Sequence, residues 1–262
     1  ECLPTYLVCE DFESSTLSSP DVNTINFSWT SMAWSYLANT ELDQVIYKSS
    51  GVSDRLVSPN DWETRSGTNI LRFKYEAGEP MSEQRFSFDP QRELWISYWT
   101  RVPPNYNHGS SGGGAINNKF LSLWMDGYEG AGIGSTFWLS MESAGNGNSD
   151  LTFTYTRGDN SGSIAMQQYA SFISASSDSG RWMKVVVHLK AESTPEQSDG
   201  VIETWRRWDG ENSYTKLHEA RNVELKIPPS GPEGFAAGYL MGWANGAYSE
   251  QTEWLIDDII IG

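Results

Sequence analysis

Runs in which apolar and polar residues alternate, each cut off by a proline or a glycine-rich turn, constrain this chain more than any other feature. In Arg181–Lys190 (RWMKVVVHLK), Met183, Val185, Val187 and Leu189 fall on one face, and Trp182, Lys184, Val186 and His188 on the other. Glu93–Arg101 (ELWISYWTR) sets Leu94, Ile96 and Tyr98 against Trp95, Ser97, Trp99 and Arg101. A period of two belongs to a pleated strand with one face in a core. Pro103-Pro104 ends the second run, because proline has no amide proton to give to a ladder. The series continues with Asn69–Tyr75, Glu83–Phe88, Lys119–Trp124, Thr136–Glu142, Leu151–Arg157, Val201–Trp208, Gly238–Trp243 and Glu253–Ile261. Leu7–Glu13 and Phe27–Trp34 read as further strands, and Glu41–Lys48 as a strand or a short helix. No stretch carries a convincing helical stripe. About a dozen strands separated by turn signals predict an all-β sandwich or barrel. With no repeat, linker or composition shift, a single domain is expected over residues 1–262.

Composition supports strands and narrows the partners. Aromatic residues make up 13% of the chain, with 12 Trp and 12 Tyr, beside 24 Gly. That favours sheets and turns over helices and argues against disorder. The formal net charge is −16, so no general electrostatic pull towards nucleic acid or an anionic membrane is expected. No apolar run is long enough for a membrane span. Cys2 and Cys9 are the only cysteines. A bridge closing that short N-terminal loop suits an exported protein, and a secreted, extracellular or virion-surface location is the expectation.

The opening Asp11-Phe12-Glu13 strand, the central series SEQRFSF (Ser82–Phe88), ELWISYW (Glu93–Trp99) and NNKFLSLW (Asn117–Trp124), and the closing strand with its Asp257-Asp258 pair together carry a resemblance. They resemble the concanavalin A-like jelly-roll group, which includes legume-type lectins, glucanases and polysaccharide lyases. The fold this implies is a jelly-roll β-sandwich of two antiparallel sheets. The central series looks most like the alginate and glucuronan lyase type. In that type a lysine follows the loop after the central strand, where this chain has Lys119, and a hairpin supplies a serine, an arginine and a tyrosine pair. Here the hairpin offers Phe137-Trp138-Leu139-Ser140 and Phe153-Thr154-Tyr155, so Tyr155 stands for one tyrosine, Phe153 lacks the hydroxyl, and no arginine fits.

Two functional readings follow. In the first, Trp95 and Trp99 with Arg101, joined by Arg72, Arg85 and Trp138, form an aromatic platform on a concave sheet face that holds a polysaccharide by stacking and polar contacts. In the second, the protein is a lyase that cleaves uronate chains by β-elimination. A cation such as Lys119, Arg85 or Arg157 would neutralise the uronate carboxylate, and Tyr155 or His188 would act as base and acid. A purely structural surface protein is a third reading. The glucanase pattern E-x-D-x-x-E fails, because Ile46 stands where the third carboxylate would be. The glycine loop Gly109–Gly114 would serve as a lid or as a bare insertion. If the first and last strands are neighbours, Glu13, Asp257 and Asp258 would either hold a structural Ca²⁺ or bond loop amides.

Overall fold

The computed structural model describes residues 3–13, 21–30, 43–47, 64–67, 69–109, 117–128, 133–158, 163–194 and 197–262, with 43–47 and 163–167 described by their backbone alone. The early strands are β1 (Val8–Glu10), β2 (Val22–Asn23), β3 (Ser28–Thr30), β4 (Asp43–Tyr47) and β5 (Asn69–Tyr75). The central ones are β6 (Met81–Gln91), β7 (Glu93–Arg101), β8 (Asn117–Trp124), β9 (Thr136–Gly145), β10 (Asn148–Thr156) and β11 (Ser163–Ile173). One helical turn, α1 (Ala175–Asp178), precedes β12 (Trp182–Lys190), β13 (Gly200–Trp208), β14 (Thr215–Val223), β15 (Phe235–Trp243) and β16 (Thr252–Ile261).

Two antiparallel sheets result, as a jelly-roll sandwich requires. The nine-stranded sheet runs β14-β13-β12-β7-β16-β1-β2, with β5 on β16 and β4 on β5; the seven-stranded sheet runs β11-β10-β9-β8-β15-β6-β3. Chain ends meet as expected, since Val8, Cys9 and Glu10 pair with Ile261, Ile260 and Ile259. Cys9 is disulfide-bonded, and the chain's one other cysteine is Cys2. The expected strands are present among the described residues, with Asp43–Tyr47 of the Glu41–Lys48 run forming β4; residues 31–34 of the Phe27–Trp34 run lie outside the described residues. Three elements, β2, β11 and β14, lie where no strand is expected from the sequence.

Alternation decides what is buried. Leu94, Ile96 and Tyr98 of β7 join Met183, Val185, Val187 and Leu189 of β12 in one continuous core. Facing them are Phe120, Leu121 and Leu123 of β8, Phe137, Leu139 and Met141 of β9, and Leu151, Phe153 and Tyr155 of β10. Fully burying one such side chain is worth about 1.5–3 kcal/mol, so the core fixes both sheets and leaves two outer faces free for function.

Candidate functional site

The outer face of the seven-stranded sheet gathers chemistry from six strands into one strip. Pairing places Thr154 beside Trp138, Trp138 beside Ser122, Ser122 beside Tyr239, Tyr239 beside Arg85 and Arg85 beside Thr30. Directly opposite residues of paired strands share a face, so these six side chains form a row across the sheet. The neighbouring row holds Thr152, Ser140 and Lys119. Trp124, Trp138 and Tyr239 pack together, with Tyr128 from the β8–β9 connection half-buried against them.

Its contacts are specific. The Tyr128 ring meets Trp124, Tyr239 and Trp138 at 5.3, 5.5 and 6.1 Å between centroids, each edge-on. Trp138 Nε1 donates to Tyr128 Oη at 3.4 Å, and the Tyr128 and Tyr239 hydroxyls are 3.3 Å apart. The Arg85 guanidinium lies over Trp124 and Tyr128, 5.4 and 5.2 Å from their centroids. Arg85 Nε also donates to Glu83 Oε1 at 2.6 Å, inside the sheet's covered surface. Burial pushes the Glu83 carboxyl up, with the Arg85 charge acting against it. Burial likewise holds the Tyr239 hydroxyl well above the ordinary phenol range, so it stays a proton donor at neutral pH.

Gly242 is where this face closes up. Its φ is +119°, and Met241 before it has φ +59°, a region a non-glycine residue enters only under constraint. A methyl group on Gly242 would lie 2.9 Å from Tyr239 Cε2, 3.2 Å from Lys119 Cβ and 3.4 Å from Glu83 Oε2. Glycine therefore lets Tyr239, Lys119 and Glu83 converge. From the core side Tyr75 Oη donates to the Gly242 carbonyl at 2.7 Å and fixes the distorted backbone. Glu142, on the same face, has its carboxyl pushed up by burial and drawn back by Lys119 and Asn117.

The residues picked from sequence do not form one site. Arg85, Trp138 and Lys119 share the face just described. Trp95, Trp99 and Arg101 lie on the outer face of the nine-stranded sheet, because their strand β7 pairs with β12 and β16. Arg72 is fully buried on β5 with its guanidinium 3.6 Å from Glu253. Tyr155 points into the core with Phe153. The hairpin residues that do face Lys119 are Ser140, Thr152 and Thr154, since neighbours along a strand point to opposite sides. His188 sits on the far sheet, where Nδ1 meets Glu203 and Nε2 meets Glu93, each at 2.8 Å, and its ring stacks on Trp95 at 4.1 Å. The expected trio Lys119, Tyr155 and His188 is thus spread over three surfaces. Tyr239 is the phenol that joins Lys119; its place in the Gly238–Trp243 strand was visible, but its partner strands were not.

The acidic trio likewise has other work. Asp257 Oδ2 accepts from the amides of Arg65 and Ser66 at 2.9 and 3.1 Å, and Oδ1 accepts from the Asp258 amide at 2.9 Å. Asp258 accepts from Ser66 Oγ, and Glu13 from the Asn69 amide. Burial, with Asp258 beside it, pushes the Asp257 carboxyl up to about 8. Among the described residues no group of three or more His, Cys, Asp or Glu could hold a metal ion. No helix among them is long and apolar enough to cross a membrane. The glycine loop beyond Gly109 lies outside the described residues.

Comparison with solved structures matches the architecture. The marine PL-14 alginate lyase from Aplysia kurodai aligns over 98% of this chain and 99% of its own, at 13% identity and a TM-score of 0.60. A mutant of alginate lyase Aly36B in complex with alginate tetrasaccharide aligns over 73% of this chain and 80% of its own, at 12% identity and a TM-score of 0.54. At such identities the likeness establishes the concanavalin A-like jelly-roll fold shared with these lyases. No protein-family model matches the sequence, and no curated protein does.

Proposed function

We propose that this protein recognises polysaccharide along the outer face of the seven-stranded sheet. The row Thr154–Trp138–Ser122–Tyr239–Arg85–Thr30 carries the reading, because it sets ring and cation side by side across adjacent strands, with Ser122 and Tyr239 buried among them. Sugar binding needs that mixture: C–H groups lie on rings while a few fixed polar groups take hydroxyls. Each cation here has a carboxylate neighbour, Glu83 for Arg85 and Glu142 for Lys119, which favours a hydroxyl-rich chain. The solved alginate lyases support the reading by sharing this fold. An exported or surface location goes with it.

A second reading is β-elimination on a uronate chain, favoured by the convergence of Lys119, Glu83 and Tyr239 around Gly242. Arg85 would neutralise the uronate carboxylate, making the neighbouring C–H more acidic. Lys119 would remove that proton, and Tyr239 would donate to the departing glycosidic oxygen as the C–O bond breaks and a C=C bond forms. One experiment addresses both: incubate the protein with alginate, glucuronan and neutral glucans, scoring retention on each and ultraviolet absorbance from unsaturated product. Retention without absorbance supports recognition; absorbance on a uronan replaces it with the lyase; neither on any glycan sinks both.

A further inference from the structure

The nine-stranded sheet carries a group of cations that the seven-stranded face does not explain. Strand pairing aligns Arg207 with Lys184, Lys184 with Trp99 and Trp99 with Asp257. The Arg65 guanidinium lies 4.3 Å from the Trp99 ring centroid and that of Arg207 lies 5.3 Å from it. Arg207 also sits 5.1 Å from the ring of Tyr214, which is 44% exposed. Three cations therefore surround one indole on a protein of net charge −16.

Among the described residues the carboxylates beside them are those of Asp209, Asp258 and Asp257, the last already held by backbone amides. Arg65 pairs with Asp209 at 3.1 Å, and Asp258 is the carboxylate whose charge reaches Lys184. Arg207 has a buried Nε with no hydrogen-bond partner, and so does Arg65. Burial lowers the Lys184 ammonium; Asp258 raises it, and Arg207 and Arg65 lower it further. Like charges placed directly across a strand pair destabilise a sheet. Lys184 and Arg207 are such a pair, and the partly exposed Arg65 and Arg207 side chains beside it leave their terminal guanidinium nitrogens to meet an oxyanion.

We propose that Lys184, Arg207 and Arg65, grouped on Trp99, form a second ligand site that takes the carboxylate or sulfate group of an acidic saccharide. The planar guanidinium fork matches either oxyanion, and the exposed Tyr214 ring beside Arg207 provides a face for the sugar. The saccharide part rests on the carbohydrate reading above; the anion part rests on these cations alone. Both oxyanions offer the same chemistry, and the titration below separates them.

The test is calorimetric titration of the full chain carrying R85Q and K119Q, which removes cations from the other face. The titrants are alginate tetrasaccharide, a sulfated galactan tetrasaccharide, neutral cellotetraose and inorganic sulfate. Saturable binding of at least one charged tetrasaccharide is expected, weakened by added salt, whereas cellotetraose held on the other face should be indifferent to salt and to K184Q and R207Q; the tighter of the two charged tetrasaccharides names the group. Adding K184Q and R207Q should cut that affinity at least tenfold, and these changes relieve repulsion, so folding is retained. Tyr214→Ala, at an exposed side chain, should weaken the tetrasaccharide severalfold and leave inorganic sulfate unchanged. Absence of binding by both charged tetrasaccharides, or a charged-tetrasaccharide affinity indifferent to K184Q and R207Q, would each overturn the site. Loss of glycan retention in the unmodified protein, with sulfate binding intact, would instead break the carbohydrate reading.

Discussion

The two outer faces of this sandwich are both rich in rings, yet they are built for different work. On the seven-stranded sheet Trp124, Trp138, Tyr239 and Tyr128 close over one another, and the cations Arg85 and Lys119 each have a carboxylate neighbour. On the nine-stranded sheet the aromatic residues divide into two groups. Trp95, 43% exposed, stacks with His188 and Trp205 among the carboxylates Glu93 and Glu203. Trp99 lies instead under the guanidinium groups of Arg65 and Arg207, with Lys184 directly across from it on β12. What a ring on a sheet can bind is set by the charged groups that neighbouring strands place around it.

The largest effect expected of any substitution is that of Gly242→Ala. The added methyl would press on Tyr239, Lys119 and Glu83 in a backbone region that disfavours side chains. A cost of about 1–3 kcal/mol and loss of neutral-glycan retention are predicted, with binding of charged oligosaccharide at Trp99 preserved. Thermal unfolding and affinity electrophoresis would read both; equal damage to the two faces would erase the distinction between them. Next comes Arg85→Gln, for which glycan affinity should fall about tenfold, the loss expected for one charged hydrogen-bonding group. An unchanged affinity would remove Arg85 from the site.

Protonation of buried carboxyls, including Glu10 and Glu253 on the nine-stranded sheet, gives stability a pH dependence. Burial raises Glu83 and Glu142 on one sheet and Asp257 on the other. Folded values above unfolded ones mean that the folded chain holds protons the unfolded chain releases. Their contribution to stability is complete below the unfolded carboxylate range and is lost as pH rises, with Asp257 last, through about 8. The melting temperature should therefore fall from mildly acidic to mildly alkaline solution. Glu83→Gln should flatten the lower part of that curve and Asp257→Asn the upper part; a curve that neither variant alters would contradict the assignment. The smallest effect is predicted for Trp95→Ala, which should change glycan affinity less than twofold, because that ring is already stacked on His188.

Much of this fold was legible in the sequence, because the strands that bury one full face must alternate. β7 and β12 do so along Leu94, Ile96 and Tyr98 and along Met183, Val185, Val187 and Leu189, and the resemblance of the central series to jelly-roll enzymes anticipated two antiparallel sheets. β11 and β14 escaped notice because each is the last strand of its sheet, where polar runs such as Thr215–Val223 (TKLHEARNV) are tolerated and blunt an edge. The site was legible only strand by strand. Alternation within a strand sets Glu83, Arg85 and Ser87 on one face, and Trp138, Ser140 and Glu142 on one face of theirs. Which sheet each face belongs to depends on pairing between distant strands, so Trp95 and Arg85 were assigned to one platform though they lie on opposite sides of the molecule. Tyr155 failed for a local reason: one step along a strand reverses the side, so Thr154 and not Tyr155 faces the glycan row.

Hydrogen exchange of the K184Q/R207Q variant, with and without a retained glycan, tests the central claim most directly. Protection confined to β6, β8, β9 and β15 is the predicted result, since those strands carry Arg85, Lys119, Trp138 and Tyr239. Protection on β7 and β12 instead, with the seven-stranded sheet unchanged, would contradict it.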